Sequence, residues 1–303
     1  MPTSAPYLGP YPLALTDVSG YYSVSDHIAS DNHYYGHYIS GDSSDNTFHL
    51  TNNLRDHVLG YGGDDKLFGY GGNDIIEGGD DNDTITGDDG DDWLYGDAQF
   101  ETTLISGDDF ILGGSGNDYI YGGGGNDRML GGTDNDILEG GSGNDDLDGG
   151  TGDDILDGED GADTIMGGSG QDVLIGGTGN DSLEGGDQND SLFGGANDDI
   201  LNGGSGNDTL LGDDGDDLLF GAFGDDVLTG GEGADSFVFI ADNGVDVVSD
   251  FSQSEDLLVF AGATSLSLAE FNGDALFILN ENSYILLEDI EVQTITSSDY
   301  TFI

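Results

Sequence analysis

Aspartate recurs on a nine-residue period through much of this 303-residue chain, and carboxylates on so strict a period are candidates for cation chemistry. From Asp118 to Asp235 the spacing never slips: Asp118, Asp127, Asp136, Asp145, Asp154, Asp163, Asp172, Asp181, Asp190, Asp199, Asp208, Asp217, Asp226 and Asp235. Asp65, Asp74, Asp83, Asp92 and Asp109 lead into that run. Carboxylates brought close together repel unless a cation sits between them. Carboxylate and carbonyl oxygens are hard donors that suit Ca2+ with its roughly six to eight ligands, whereas Mg2+ demands a tighter octahedron. Zinc would call for His or Cys, and residues 60–238 contain neither. Donor chemistry alone favours calcium.

The elements that position these carboxylates follow from the rest of the phrase. Its consensus is G-G-x-G-x-D-x-U-x, with U a large apolar residue such as Leu67, Ile76, Met129, Leu183 or Phe237. Four units run from Gly60 to Tyr95. A fifth opens with Gly96 and Asp97, is interrupted by AQFETTLIS and closes at Leu112, and fourteen more run from Gly113 to Val238. One apolar residue in nine cannot form the stripe of an amphipathic helix. The glycines mark tight turns, and the x-U-x triplet reads as a short strand with U pointing inward. Turn plus strand, taken twice, closes a coil of about 18 residues, and stacked coils pair their strands in parallel at about 4.8 Å. Aspartates two units apart, such as Asp181 and Asp199, then share one edge of the stack. The core between the two sheets is thin against the entropy of ordering the chain, so the turns need a further source of stability.

Charge excludes several classes of partner. The chain carries 63 acidic residues against 3 basic ones, a net charge of -60, and self-repulsion on that scale opposes any compact state unless cations neutralise it. Nucleic acid and anionic membrane surfaces are excluded as partners for want of a basic face. No apolar run approaches the roughly 20 residues of a membrane span. The N-terminal MPTSAPYLGPYPLAL lacks the basic and apolar regions of a cleavable export signal.

The GGxGxDxUx phrase resembles the RTX, or hemolysin-type, calcium-binding repeat. The resemblance implies an all-β fold: a parallel β-roll, that is, a calcium-bound right-handed β-solenoid, closed by a C-terminal β cap. It also implies a ligand set. Each calcium takes the aspartate and the carbonyls of positions two and four from one unit, and the aspartate with the carbonyls of positions one and three from the next unit on that edge. One such site would use Gly177, Gly179 and Asp181 with Gly194, Ala196 and Asp199. Asp81, Asp134, Asn189 and Asn197 are assigned to the place of the fourth glycine, where they are expected to weaken or strain their sites. By this scheme the unbroken fourteen units hold about 12 ions, and the chain folds at about 0.1–1 mM calcium.

Three regions are expected: a polar, aromatic segment at 1–59; the roll at 60–238 with an insertion near 98–106; and a cap at 239–303. DHVLGYGG reads as a decayed repeat with Asp56 and Val58 in phase, so the roll is expected to reach back before Gly60. His27, His33 and His37 fit no zinc-protease helix and read as polar surface. DVVSDF and DLLVF read as strands that close the roll. The acidic and apolar SSDYTFI terminus is similar to the uncleaved signal of type I secretion substrates, which implies a secreted, extracellular or cell-surface protein. The chain has no H-E-x-x-H, no G-x-S-x-G and no phosphate loop, so an enzyme is not expected. A structural, adhesive or self-assembling role is expected, with a calcium-dependent module for a polysaccharide or an enzyme partner as the alternative. The outer face bearing Tyr119, Tyr121, Ile137, Ile155, Val173, Ile175, Phe193, Leu211 and Val227 is the expected surface for self-association or glycan. The other face mixes Arg128, Asp146, Asp148, Ser182 and Glu184 with Leu218 and Phe220.

Overall fold

Most of the nine-residue phrases fold as a six-residue strand followed by a three-residue turn, while Lys66–Phe68 and Trp93–Tyr95 are strands of three. Val173–Thr178 is a strand, Gly179, Asn180 and Asp181 turn the chain, and Ser182–Asp187 is the next strand. The strands are longer than the x-U-x triplet because ladder pairing continues through the first three positions of the following unit, as in Gly177↔Gly195 and Thr178↔Ala196. Successive strands alternate between two sheets, so each pairs with the strand two units away. Val173–Thr178 lies in parallel between Ile155–Asp160 and Ser191–Ala196. The computed structural model describes residues 22–23, 38–50, 54–98, 106–240, 244–262, 266–280 and 283–303. Over these residues the two sheets hold 14 and 15 strands, with a single short 3-10 turn at Val292–Thr294. The fold is therefore an all-β parallel solenoid.

The eighth-position residues fill the gap between the sheets: Leu67, Ile120, Leu174, Leu192 and Phe237 are each 0% exposed. The stacking runs beyond the repeats at both ends. Tyr38–Ser40, Thr47–His49 and His57–Gly62 continue the two sheets before the first full unit, and Ile39, Phe48 and Val58 join the core. At the other end DVVSDF and DLLVF do supply strands, Val245–Val248 and Leu257–Ala261, which extend the sheets as further parallel rungs. Closure comes later. Ser267–Phe271, Asp274–Ile278 and Tyr284–Leu287 form an antiparallel ribbon at the end of one sheet, and Tyr300–Phe302 ends the other.

The turns explain where glycine is needed. At Gly179 φ is +135°, and a Cβ there would lie 1.4 Å from the Gly161 carbonyl oxygen, so no side chain fits without moving backbone. Asp81, Asp134 and Asn197 take the fourth place with left-handed φ of 73°, 77° and 86°. One expected assignment shifts by a residue: the left-handed corner in GGDQNDSLF is Gln188, at φ 84°, and Asn189 follows it in the fifth place. The interruption after Asp97 costs no register. Aspartate-ladder hydrogen bonds that span 18 residues between uninterrupted repeats span 26 there, so eight extra residues are accommodated without a change of ladder partner.

Candidate metal centre

All nineteen repeat aspartates expected to bind metal, from Asp65 to Asp235, are buried, each 0% to 3% exposed. Their position at the mouth of each strand turns the carboxylates along the stack. One oxygen of each is spoken for: Asp163 donates its N–H to Asp181 Oδ1 at 2.8 Å, Asp181 to Asp199 Oδ1 at 2.7 Å and Asp199 to Asp217 Oδ1 at 2.8 Å. The second oxygen, Oδ2, is buried without a hydrogen-bond partner in every one of the nineteen. A buried carboxylate oxygen left unpaired is strongly unfavourable, so a regular file of them calls for a cation.

The surroundings of Oδ2 fit calcium. A Cβ placed on Gly176 would meet Asp181 Oδ2 and the Gly194 carbonyl oxygen, each at 2.5 Å, so both oxygens crowd one small space at the first position. The same pairing of own-unit carboxylate and next-coil carbonyl repeats seventeen times, from Gly60 to Gly212. Glycine at the first position keeps that space open for an ion. Of the expected set around Asp181, Gly177 at the end of its strand and Gly179 in the turn that follows both take positive φ, 106° and 135°. The Ala196 carbonyl already accepts the Gly179 N–H at 3.0 Å. Among the described residues no three His, Cys, Asp or Glu side chains converge on a point. The donors here are carboxylates in file and main-chain carbonyls, the hard oxygen set of calcium rather than the side-chain clusters of transition metals.

Burial drives the carboxyl groups up the pH scale. Loss of solvation raises Asp109 to about 9 and Asp74, Asp83 and Asp118 to about 8, against the pull of the backbone N–H each accepts. Neighbouring ladder aspartates add to the rise, as Asp127 and Asp83 do at Asp109. Asp65, Asp127, Asp136, Asp163, Asp190 and Asp199 rise to about 7 for the same leading reason. A divalent cation at Oδ2 supplies the charge that the buried environment withholds.

A second ladder escaped the reading of the sequence. At the fifth position, exposed Asn and Asp side chains accept the backbone N–H of the unit one coil later: Asn126 Oδ1 from Asn144 at 2.9 Å, Asn144 Oδ1 from Ala162 at 2.9 Å and Asn189 Oδ1 from Asn207 at 2.8 Å. It runs opposite to the sixth-position ladder, whose acceptors lie one coil ahead. The signal was present as Asn or Asp at position five of most units, including Asn126, Asn144, Asn189 and Asn207. The sixth-position ladder also reaches past the repeats. Asn46 and Asp56 donate N–H to Asp65 and Asp74 at one end, while Asp246 and Asp256 accept from Asp226 and Asp235 at the other. There the spacing grows to 20 and 21 residues, which hides them from a nine-residue period.

The apolar outer face lies on the 15-stranded sheet, where Tyr119, Ile137, Ile155 and Val173 form one column and Ile175 and Phe193 sit in the next. Glu139 and Asp157 interrupt that second column. The opposite face exposes Phe110, Met166 and Ile200 as well as Leu218, which was expected there. His27, His33 and His37 lie outside the described residues. No described helix is long and apolar enough to cross a membrane.

Stacked parallel coils, each with a buried carboxylate oxygen facing a carbonyl of the next, define a β-roll of the metal-binding kind. The chain matches the RTX calcium-binding nonapeptide repeat at residues 50–85, 68–100, 105–138, 139–174, 175–210, 202–237 and 211–248, and it belongs to that family. Among solved structures it is similar to the R3 subunit of a mannuronan C5-epimerase from Azotobacter vinelandii, at 27% identity and a TM-score of 0.34, covering 39% of this chain and 80% of that one. It is also similar to an extracellular lipase from Serratia marcescens, at 19% identity and a TM-score of 0.34, covering 66% of this chain and 45% of the lipase. No curated protein sequence gives a match.

Proposed function

We propose that this protein is an exported calcium-binding β-roll that folds when it meets millimolar calcium and then serves a structural, adhesive or self-assembling role. The observation that carries the reading is the unbroken file of buried, unpartnered Oδ2 atoms from Asp65 to Asp235. Ions that bind only the folded chain add their binding free energy to folding, and each offsets two charges of a net -60. Seventeen carboxylate–carbonyl pairings give room for up to seventeen ions, twelve of them from Gly113 to Gly212, which supports the roughly 12 proposed for the unbroken units. Export through a type I machinery agrees with the acidic, apolar C-terminus, which here forms the rung Tyr300–Phe302. The role is non-catalytic, because the periodic carboxylates are already engaged by the ladder and its ions. The test is circular dichroism and sedimentation through a calcium titration of the full chain. Strand content and compaction should appear together at about 0.1–1 mM calcium; a spectrum indifferent to calcium would overturn the reading.

The alternative, a module that engages a polysaccharide or an enzyme partner, is favoured by exposed Ile137 and Ile155 beside the carboxylates of Glu139 and Asp157 on one sheet face. Glycan pull-down with and without calcium separates it from self-assembly.

A further inference from the structure

The insertion breaks one coil at the second position, and the residue left at the break does something its counterparts do not. In unbroken coils the second-position carbonyl is met by the backbone of the next coil's second residue, most often a glycine. A Cβ on Gly132 would lie 2.2 Å from the Gly114 carbonyl oxygen, and one on Gly195 would lie 2.2 Å from that of Gly177. At Gly123 the atoms in that place are Cβ and Oδ2 of Asp97, both at 2.7 Å. Beside the insertion, the Asp97 carboxylate occupies the place that a backbone carbonyl takes in unbroken coils.

Its bonds tie it to both coils of one metal position. Asp97 is 3% exposed; Oδ2 accepts the N–H of Gly124 at 2.8 Å, and Oδ1 accepts that of Gly107 at 3.4 Å. Gly107 belongs to the unit of Asp109, and Gly124 to the unit of Asp127. Asp109 and Asp127 are neighbours on the ladder, joined by the Asp109 N–H to Asp127 Oδ1 bond at 2.8 Å. Both keep an unpartnered Oδ2, at 3% and 2% exposure. Asp88 and Asp213 also occupy second positions, but in unbroken coils, with left-handed φ of 71° and 73° and without that burial. Asp97 is drawn inward by the break itself.

We propose that Asp97 supplies a third carboxylate to the calcium position formed by Asp109 and Asp127, and that this position is the first in the roll to fill. The proposal rests on the calcium-dependent folding put forward above. As they stand the three carboxylates do not converge, so Asp97 joins the ion by rotating its side chain and giving up the 3.4 Å bond to Gly107. Three carboxylates around one ion raise its affinity above that of neighbours built from two, since ligand charge sets the affinity of oxygen sites for calcium.

Isothermal calcium titration of the full chain tests this, with Asp97→Asn, Asp181→Asn, and a third variant combining Asp97→Gly with removal of residues 98–105. Asp97→Asn keeps an amide oxygen to accept the Gly124 N–H and removes the charge. The deletion variant restores the unbroken phrase GGSGDDFIL, so it folds without relying on Asp97. In the native chain the first ion should bind about tenfold more tightly than the rest. Both Asp97 variants should lose that step and keep the later ones, while Asp181→Asn should keep it. A first step unchanged in Asp97→Asn and in the deletion variant, or no tighter step in the native chain, would overturn the role of Asp97 and leave calcium binding standing. A native chain that takes up no calcium at all would overturn both readings.

Discussion

The repeats and the last 60 or so residues build the same two sheets by different means. In the repeats, one aliphatic side chain per nine residues forms the core, and every ladder aspartate keeps a buried oxygen without a partner. Beyond Val238 the aromatic density rises: Phe239, Phe260 and Phe277 are 0% to 1% exposed, and their rings lie 5.9 Å and 5.6 Å apart about Phe260. The buried aspartates there are satisfied by protein. Asp256 Oδ2 accepts the Ser252 N–H at 2.7 Å, and Asp299 Oδ2 accepts that of Thr296 at 2.5 Å. One region leaves its electrostatic need to an ion, and the other answers it with a turn and a larger apolar core.

Calcium removal should break that comparison open most widely. Chelation should abolish protection of the strands between Lys66 and Glu232, while the strands around Phe260 retain the most, because apolar burial there does not depend on the ion. Hydrogen exchange with and without chelator measures both regions in one experiment. Equal loss at the two ends would show that the aromatic end has no stability of its own.

Protons should replace part of what calcium supplies. Free aspartate titrates near 3.8, whereas burial raises Asp109 to about 9 and Asp136 and Asp190 to about 7 in the fold. The folded chain therefore binds more protons than the unfolded chain between these values. The resulting stability is present at low pH and is lost as pH rises through the folded values. In chelator, circular dichroism should gain strand content as pH falls from about 8 to about 5. In calcium the same acidification should release ions, since protons and calcium compete for Oδ2. The aromatic end should respond less at either condition.

Phe260→Ala addresses the other side of the comparison. It removes a ring that touches Phe239, Phe277 and Tyr300 and should cost about 3–5 kcal/mol in denaturant unfolding at saturating calcium. The number of ions bound should not change. A matching loss of ions would mean that the cap and the roll form one cooperative unit.

Much of this was legible from residue types because the period is strict where the physics repeats. Asp181, Leu183 and Gly179 each occupy a place that recurs in every coil, so period alone assigned the carboxylate, core and turn. Legibility failed where phase slips or where two roles share one residue type. Asp246 and Asp256 fall out of step by two or three residues, and Asp97 is buried beside an eight-residue interruption of the period. The fifth-position ladder was hidden differently: Asn144 and Asn126 look like ordinary turn residues until the coils are stacked.

That fifth-position ladder gives the smallest effect and the finest test of which ladder needs an ion. Asn144 Oδ1 accepts the Ala162 N–H in an exposed setting, so Asn144→Ala leaves a donor that water can satisfy and should cost about 0.5–1 kcal/mol. Ala162 has no side-chain acceptor to offer Asn180, which sits one coil later at the same position. Ala162→Asn should add that rung and return a similar amount. Neither change touches the buried space beside the first glycine, so both should leave calcium stoichiometry unaltered while moving the thermal midpoint in opposite directions. A change in the number of ions bound would place the fifth position within the metal site and merge two ladders that the geometry keeps apart.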